Sequence, residues 1–155
     1  MGDAENKAIV RRFIDEVFLK GDFDAVDELL ADDFVPHTWG QVGGGKDELK
    51  AAIQRVSAGL SDPSMTIDDM IAEDDRVAVR LTSHATQTGE FMGMPPSGKS
   101  YTIDEIHIFR LRDGKVTEHW HQADFMGMMR QLGAMPGSPG SNADPDAKAE
   151  PGGDA

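Results

Sequence analysis

The chain has 155 residues, with 15 basic side chains against 28 acidic ones and no cysteine. A formal charge of −13 argues against phosphate-backbone recognition, which is built from clustered Lys and Arg, and against adhesion to an anionic membrane. The missing thiols exclude disulfides, thiolate metal sites and a cysteine nucleophile, and no apolar run approaches the ~20 residues that span a bilayer.

The start, Met1-Gly2-Asp3-Ala4-Glu5, is polar and acidic rather than a secretory signal, so a cytoplasmic setting is expected. The length suits one domain, residues 1–133. Residues 134–155 are mostly Gly, Pro, Ala, Ser and Asp, a composition too poor in apolar surface to offset its ordering entropy. They read as a disordered acidic tail.

Ile9, Phe13 and Val17 form one i,i+4 row and Val10, Ile14 and Phe18 the adjacent one, the spacing of an amphipathic helix. Gly21 supplies a left-handed stop, and Asp22 or Asp24 caps a short second helix running through Leu29 and Leu30. A glycine-rich loop, Thr38 to Gly45, follows. The third helix begins near Lys46, with Asp47 and Glu48 in its first turn, where the dipole favours acids. Leu49, Ile53, Val56 and Leu60 keep helical register until Ser61-Asp62-Pro63.

Beyond Pro63 the period shifts to two. Met65, Ile67 and Ile71 alternate with Thr66 and Asp68, and Glu73-Asp74-Asp75 makes a polar turn. Val77, Val79 and Leu81 oppose Arg80, Thr82, His84 and Thr86 on the next strand. A third strand covers Tyr101 to Leu111, Asp113-Gly114 signals a tight hairpin, and the last strand, Lys115 to Ala123, leads into a short helix capped by Asp124. Helices segregated from antiparallel strands define an α+β fold. The expected arrangement has the N-terminal helices packed in the concave face of a curved, mainly antiparallel four-stranded sheet, whose mouth suits a small molecule.

Four of the five histidines lie on or beside these strands: His84, His107, His119 and His121. On the last strand His119, His121 and Ala123 share one face, and Trp120 and Gln122 the other. On the strand before it, Glu105, His107, Phe109 and Leu111 share a face opposed by Ile106 and Ile108. A strict two-residue turn at Asp113-Gly114 pairs His107 with Trp120, whereas one extra residue, such as a bulge at the glycine, pairs it with His121. The spacing leaves both registers open. Two imidazoles in an apolar hollow would suit proton transfer at ordinary pH. The His119-Trp120-His121 spacing also matches strand-borne metal ligands, but two histidines so spaced are common by chance and no metal site is assigned. Candidate ligand-lining residues are His37 at the loop entrance, Trp39, Arg80, Phe18, Met92 and Trp120.

Several segments together carry a family resemblance: Gly89-Glu90-Phe91-Met92-Gly93-Met94-Pro95-Pro96-Ser97-Gly98-Lys99, then Glu105-Ile106-His107, Asp113-Gly114-Lys115-Val116, Asp124-Phe125-Met126-Gly127 and Arg130-Gln131-Leu132-Gly133. With them the chain resembles the SnoaL-like polyketide and ester cyclases of the nuclear-transport-factor-like cone fold. The resemblance implies a homodimer or higher oligomer, a hydrophobic small-molecule or polyketide-like substrate, no cofactor, and ring closure by intramolecular aldol condensation. It places the cyclases' histidine at His107 and their acid/base aspartate at His121, a departure from the pattern at the reacting position. Asp124 is retained three residues on. The expected catalytic set is His121, His107 and Asp124, with a non-catalytic binding or dimerisation protein as the alternative.

Overall fold

The computed structural model describes residues 2–37 and 44–134. Trp39, most of the glycine-rich loop and the tail from 135 onward lie outside the described residues. Helix α1 (Asp3–Arg12) runs directly into a π-helical segment, Phe13–Leu19, where the expected single helix widens. Lys20 N–H bonds to Asp15 C=O at 3.1 Å, the i→i−5 spacing of π winding. The wider turn brings Phe13 and Phe18, five residues apart, edge to face at 4.9 Å. Helix α2 (Phe23–Leu29) is capped by Asp22, which accepts from the N–H groups of Asp24 and Ala25. Helix α3 spans Gly45–Gly59 and α4 Phe125–Gln131.

The sheet has five strands rather than four. The addition is β1 (Leu30–Pro36), in a stretch whose start was expected to end a helix. It lies parallel to β5 (Lys115–Ala123), outside the hairpin series. The others are β2 (Leu60–Glu73), β3 (Arg76–Gln87) and β4 (Ser100–Arg112), and the spatial order is β1-β5-β4-β3-β2. Strand β2 begins five residues before Met65 and takes in Asp62 and Pro63. Its pairing with β3 slips between Ser61 and Ser64, where Asp62 adopts φ 52°. A proline is tolerated there because β2 is an edge strand and needs no donor on its free side.

The hairpin at Asp113-Gly114 settles the open register. Both residues have positive φ, 51° and 77°, as a two-residue turn matched to strand twist requires. Arg112 pairs with Lys115 and Leu111 with Val116, but Arg110 then pairs with Glu118, leaving Thr117 as an extra residue on β5. The bulge falls at Thr117 rather than at the glycine. Beyond it His107 sits opposite His121, Phe109 opposite His119 and Ile108 opposite Trp120.

The helix-bearing face carries two apolar clusters. The larger joins Val10, Phe13, Ile14 and Val17 to Val77, Val79, Leu81, Phe109, Leu111 and Val116. The smaller joins Ala85, Phe91, Tyr101 and Ile103 to Met128 and Leu132 at the α4 end. Read along β3, β4 and β5, the residues between the two clusters are Ser83, then Glu105 and His107, then His119 and His121. A polar seam therefore crosses the inner face of the sheet.

Candidate functional site

Three strands supply the seam, and alternation places each side chain. Glu105 and His107, two apart on β4, point the same way as Ser83 on β3 and as His119 and His121 beyond the bulge. Ser83 Oγ donates to Glu105 Oε2 at 2.5 Å, and Glu105 Oε1 lies 2.9 Å from His107 Nε2. The other nitrogen of His107, Nδ1, lies 2.9 Å from His119 Nε2. His107 is 2% exposed and His119 3%, so both are enclosed by the protein. Phe18 covers them at 5.5 and 5.6 Å between ring centroids. His121, half-buried, occupies the rim.

The rings form a near-parallel stack. Phe109 lies 4.7 Å from His119, His119 lies 5.1 Å from His107, and His107 lies 4.8 Å from His121 with 9° between their planes. Phe125 of α4 meets His121 edge-on at 6.3 Å. Burial sets the charge states. It pushes His121 down to about 4, helped by its closeness to His107, while the carboxylate of Glu105 pulls the other way. Burial likewise holds His119 well below the usual imidazole range. Glu105 would be raised by its burial, but the hydrogen bonds from His107 and Ser83 outweigh this and hold it below the usual carboxylate range. At neutral pH the seam thus contains a carboxylate and two neutral imidazoles, His119 and His121, around His107.

The structure joins His107 and His121, as one of the two registers required, and sets Phe18 over the seam. It adds Ser83, Glu105 and His119 to the constellation. Glu105 was visible on the face of His107, but an i,i+2 carboxylate on a strand carries no signal of a dyad until the neighbouring hydroxyl and the burial are known. Asp124 points its carboxylate at α4, accepting from Gly127 N–H at 2.9 Å. A Cβ on Gly127 would lie 2.2 Å from that carboxylate, so the cap needs glycine there.

The remaining candidates lie elsewhere. Arg80 is on the outer face, exposed and paired with Asp69 at 2.6 Å and Asp68 at 3.8 Å, because β3 alternation turns it away from Val79 and Leu81. His37 and Trp120 stack on each other at 4.8 Å and 6°, with His37 bonded to Glu118, again on the outer side of β5. Met92 is 44% exposed at the tip of a turn where Phe91 and Met94 bond to each other. Behind this turn the buried Gln87 holds Gly89, Met94, Pro95 and Ser97. Two surface depressions, near Asp33 and Arg112 and near Asp75 and Glu118, are likewise away from the histidines.

His107, His119 and His121 present ligand atoms within 4.8 Å of one another, the one such trio of potential metal ligands among the described residues. The facing nitrogens of His107 and His119 share a hydrogen bond, so one of them carries a proton that a cation would have to displace.

A layer of helices on one face of a five-stranded sheet, over a shielded cluster of imidazoles and one carboxylate, places the chain among small α+β proteins. The chain belongs to the SnoaL-like polyketide cyclase family, whose model matches residues 8–132. It is similar to nogalonic acid methyl ester cyclase of Streptomyces nogalater, 29% identical over 119 residues that cover 75% of this chain and 89% of that one. Aklanonic acid methyl ester cyclase DnrD of Streptomyces peucetius is 35% identical over 57 residues, 37% of this chain and 39% of its own. Among solved structures, TsrD from Streptomyces laurentii superposes with a TM-score of 0.79 at 30% identity, covering 87% of this chain and 99% of that one.

Proposed function

We propose that the protein is a cyclase-type enzyme that moves a proton on a hydrophobic, polyketide-like carbonyl compound without a cofactor, with His121 as the acid/base group. The observation that carries this reading is the placement of His121: half-buried at the rim of a buried polar seam, uncharged at neutral pH, and stacked on His107. The resemblance sets His121 where the cyclases carry an aspartate. An aspartate enters the reaction charged, whereas this imidazole enters neutral and becomes charged only after taking the proton.

In an aldol closure, His121 removes a proton from the carbon beside a carbonyl, leaving an enolate. The enolate carbon attacks a second carbonyl within the same molecule, forming the ring C–C bond, and the resulting alkoxide takes the proton back from the imidazolium. An enolate against the ring favours the charged imidazole, so the basicity lost to burial is regained in the complex. Phe18 and Phe125 supply apolar walls on either side of the seam. Asp124 contributes through the helix it caps, since Phe125 is the first residue of α4. No helix among the described residues is long and apolar enough to cross a membrane. A homodimer belongs to the same proposal, with the outer face of β4, where Ile106 and Ile108 are 52% and 38% exposed, as the surface that meets a second copy.

The test is turnover of nogalonic acid methyl ester and related polyketide methyl esters by the wild type and by His121→Ala. Loss of general acid/base action lowers kcat by about 100-fold or more. Full turnover by the variant would remove His121 as the base.

A further inference from the structure

Glu105 is an expensive residue to place where it is. A carboxylate taken out of water is destabilising unless its oxygens are met by good donors, and an apolar side chain between two apolar clusters would avoid that cost. Both oxygens are met: Oε2 by the Ser83 hydroxyl from β3, Oε1 by His107 Nε2–H from two residues along β4. The lowered acidity range of Glu105 follows from these two bonds and means the carboxylate is ionised and accepts from both. A carboxylate that accepts at Oε1 obliges His107 to carry its hydrogen on Nε2. The opposite nitrogen is engaged by His119 Nε2.

Hydrogen bonds at both nitrogens lie in the plane of the imidazole and so fix that plane. The ring then acts as a template. His121 stacks on it at 4.8 Å with only 9° between the planes, and His119 keeps within 13° of His121. With both nitrogens of His107 occupied inside the protein and its ring 2% exposed, contact with a substrate passes to His121 at the rim.

We infer that Glu105, anchored by Ser83, is a positioning residue that locks the tautomer and plane of His107 and, through the ring stack, sets the aim of His121. The inference rests on the reading of His121 as the acid/base group. It assigns Glu105, Ser83 and His107 no contact with substrate.

The test combines a spectrum with kinetics. In protein labelled with 15N-histidine, long-range 1H–15N correlations at neutral pH read the tautomer of each ring. His107 is expected with its hydrogen on Nε2 and slow exchange of that hydrogen with solvent. Glu105→Leu keeps the approximate size but removes both acceptor oxygens. The Nε2–H signal is then lost, and kcat on the polyketide ester falls about 100-fold, as when the partner of an aligned imidazole is removed, with KM nearly unchanged. Ser83→Ala moves both readouts in the same direction and Ser83→Thr, which keeps the hydroxyl, restores them. A wild-type spectrum with Nε2 of His107 unprotonated, or a Glu105→Leu chain with wild-type kcat, overturns the proposal. A missing Nε2–H together with an inactive His121→Ala chain overturns the role of Glu105 alone. Full turnover by His121→Ala with the Nε2–H signal intact overturns His121 as the base, and this role for Glu105 with it.

Discussion

Burial of neutral imidazoles makes folding sensitive to mild acid, and the size of the effect follows from His121. Its ordinary value of 6.5 falls to about 4 in the folded chain. Below pH 6.5 the unfolded chain takes up a proton that the folded chain refuses. The stability this ring contributes is therefore lost as pH falls from 6.5 to about 4, and the loss levels off once the folded ring also protonates. Over the whole window that is about 3 kcal/mol at 1.36 kcal/mol per unit, and between pH 7 and pH 5 it is about 2 kcal/mol. His119 acts in the same direction. Glu105 also loses stability in acid, but only below its ordinary carboxylate range, so the window above pH 5 belongs to the imidazoles.

Urea unfolding at pH 7, 6 and 5 measures this directly. With slopes of roughly 1–3 kcal/mol per molar, the wild-type midpoint is expected to drop by about 1 M or more between pH 7 and pH 5. His121→Gln, which cannot protonate, should lose about 2 kcal/mol less than the wild type over the same interval. A midpoint indifferent to pH in this range, or a His121→Gln chain as acid-sensitive as the wild type, would mean that His121 is not a buried neutral imidazole.

Two further perturbations probe how the site is held. Asp124→Ala removes the cap of α4 and is expected to cost about 1 kcal/mol, read as a fall in Tm of about 3 °C; an unchanged melting curve would mean the carboxylate does not satisfy the helix start. Deleting Thr117, the unpaired residue, removes the bulge but leaves Glu118 opposite Arg110 and His107 opposite His121, with both β5 imidazoles still facing inward. The shielded histidine resonances are expected to persist in this chain, and their loss would contradict the observed register.

Much of this fold was legible because its signals are local. Asp22 as a cap, Asp113-Gly114 as a turn and the alternation of Val77, Val79 and Leu81 each depend on a few neighbouring residues. Strand β1 escaped because its burial does not alternate: Leu30 and Ala31 are both buried and Asp32 and Asp33 both exposed. Its partner, β5, lies more than eighty residues away in sequence, and parallel pairing leaves no turn to announce it. The π-helical segment escaped for a related reason. The rows Ile9–Phe13–Val17 and Val10–Ile14–Phe18 fit an ordinary helix, and only packing against the histidines distinguishes the wider winding.

The bulge shows why the candidate site was harder to read than the fold. Thr117 is an ordinary strand residue, and nothing in Lys115-Val116-Thr117-Glu118 marks it as the extra one. Yet Val116 and His119, three apart, both point inward only because Thr117 is inserted between them. Were Thr117 paired in ordinary alternation instead of bulged, Glu118 and Trp120 would follow Val116 inward and the imidazoles would face water. Burying Glu118 would strand a carboxylate among Phe13 and Phe109, whereas burying His119 places an uncharged ring that stacks on Phe109 at 4.7 Å and bonds His107. The register is thus chosen by the relative cost of burying two neighbouring polar residues. That comparison requires the partner strand, the helix above it and the hydrogen bonds together, so the placement of the histidines is a property of the assembled core rather than of their spacing.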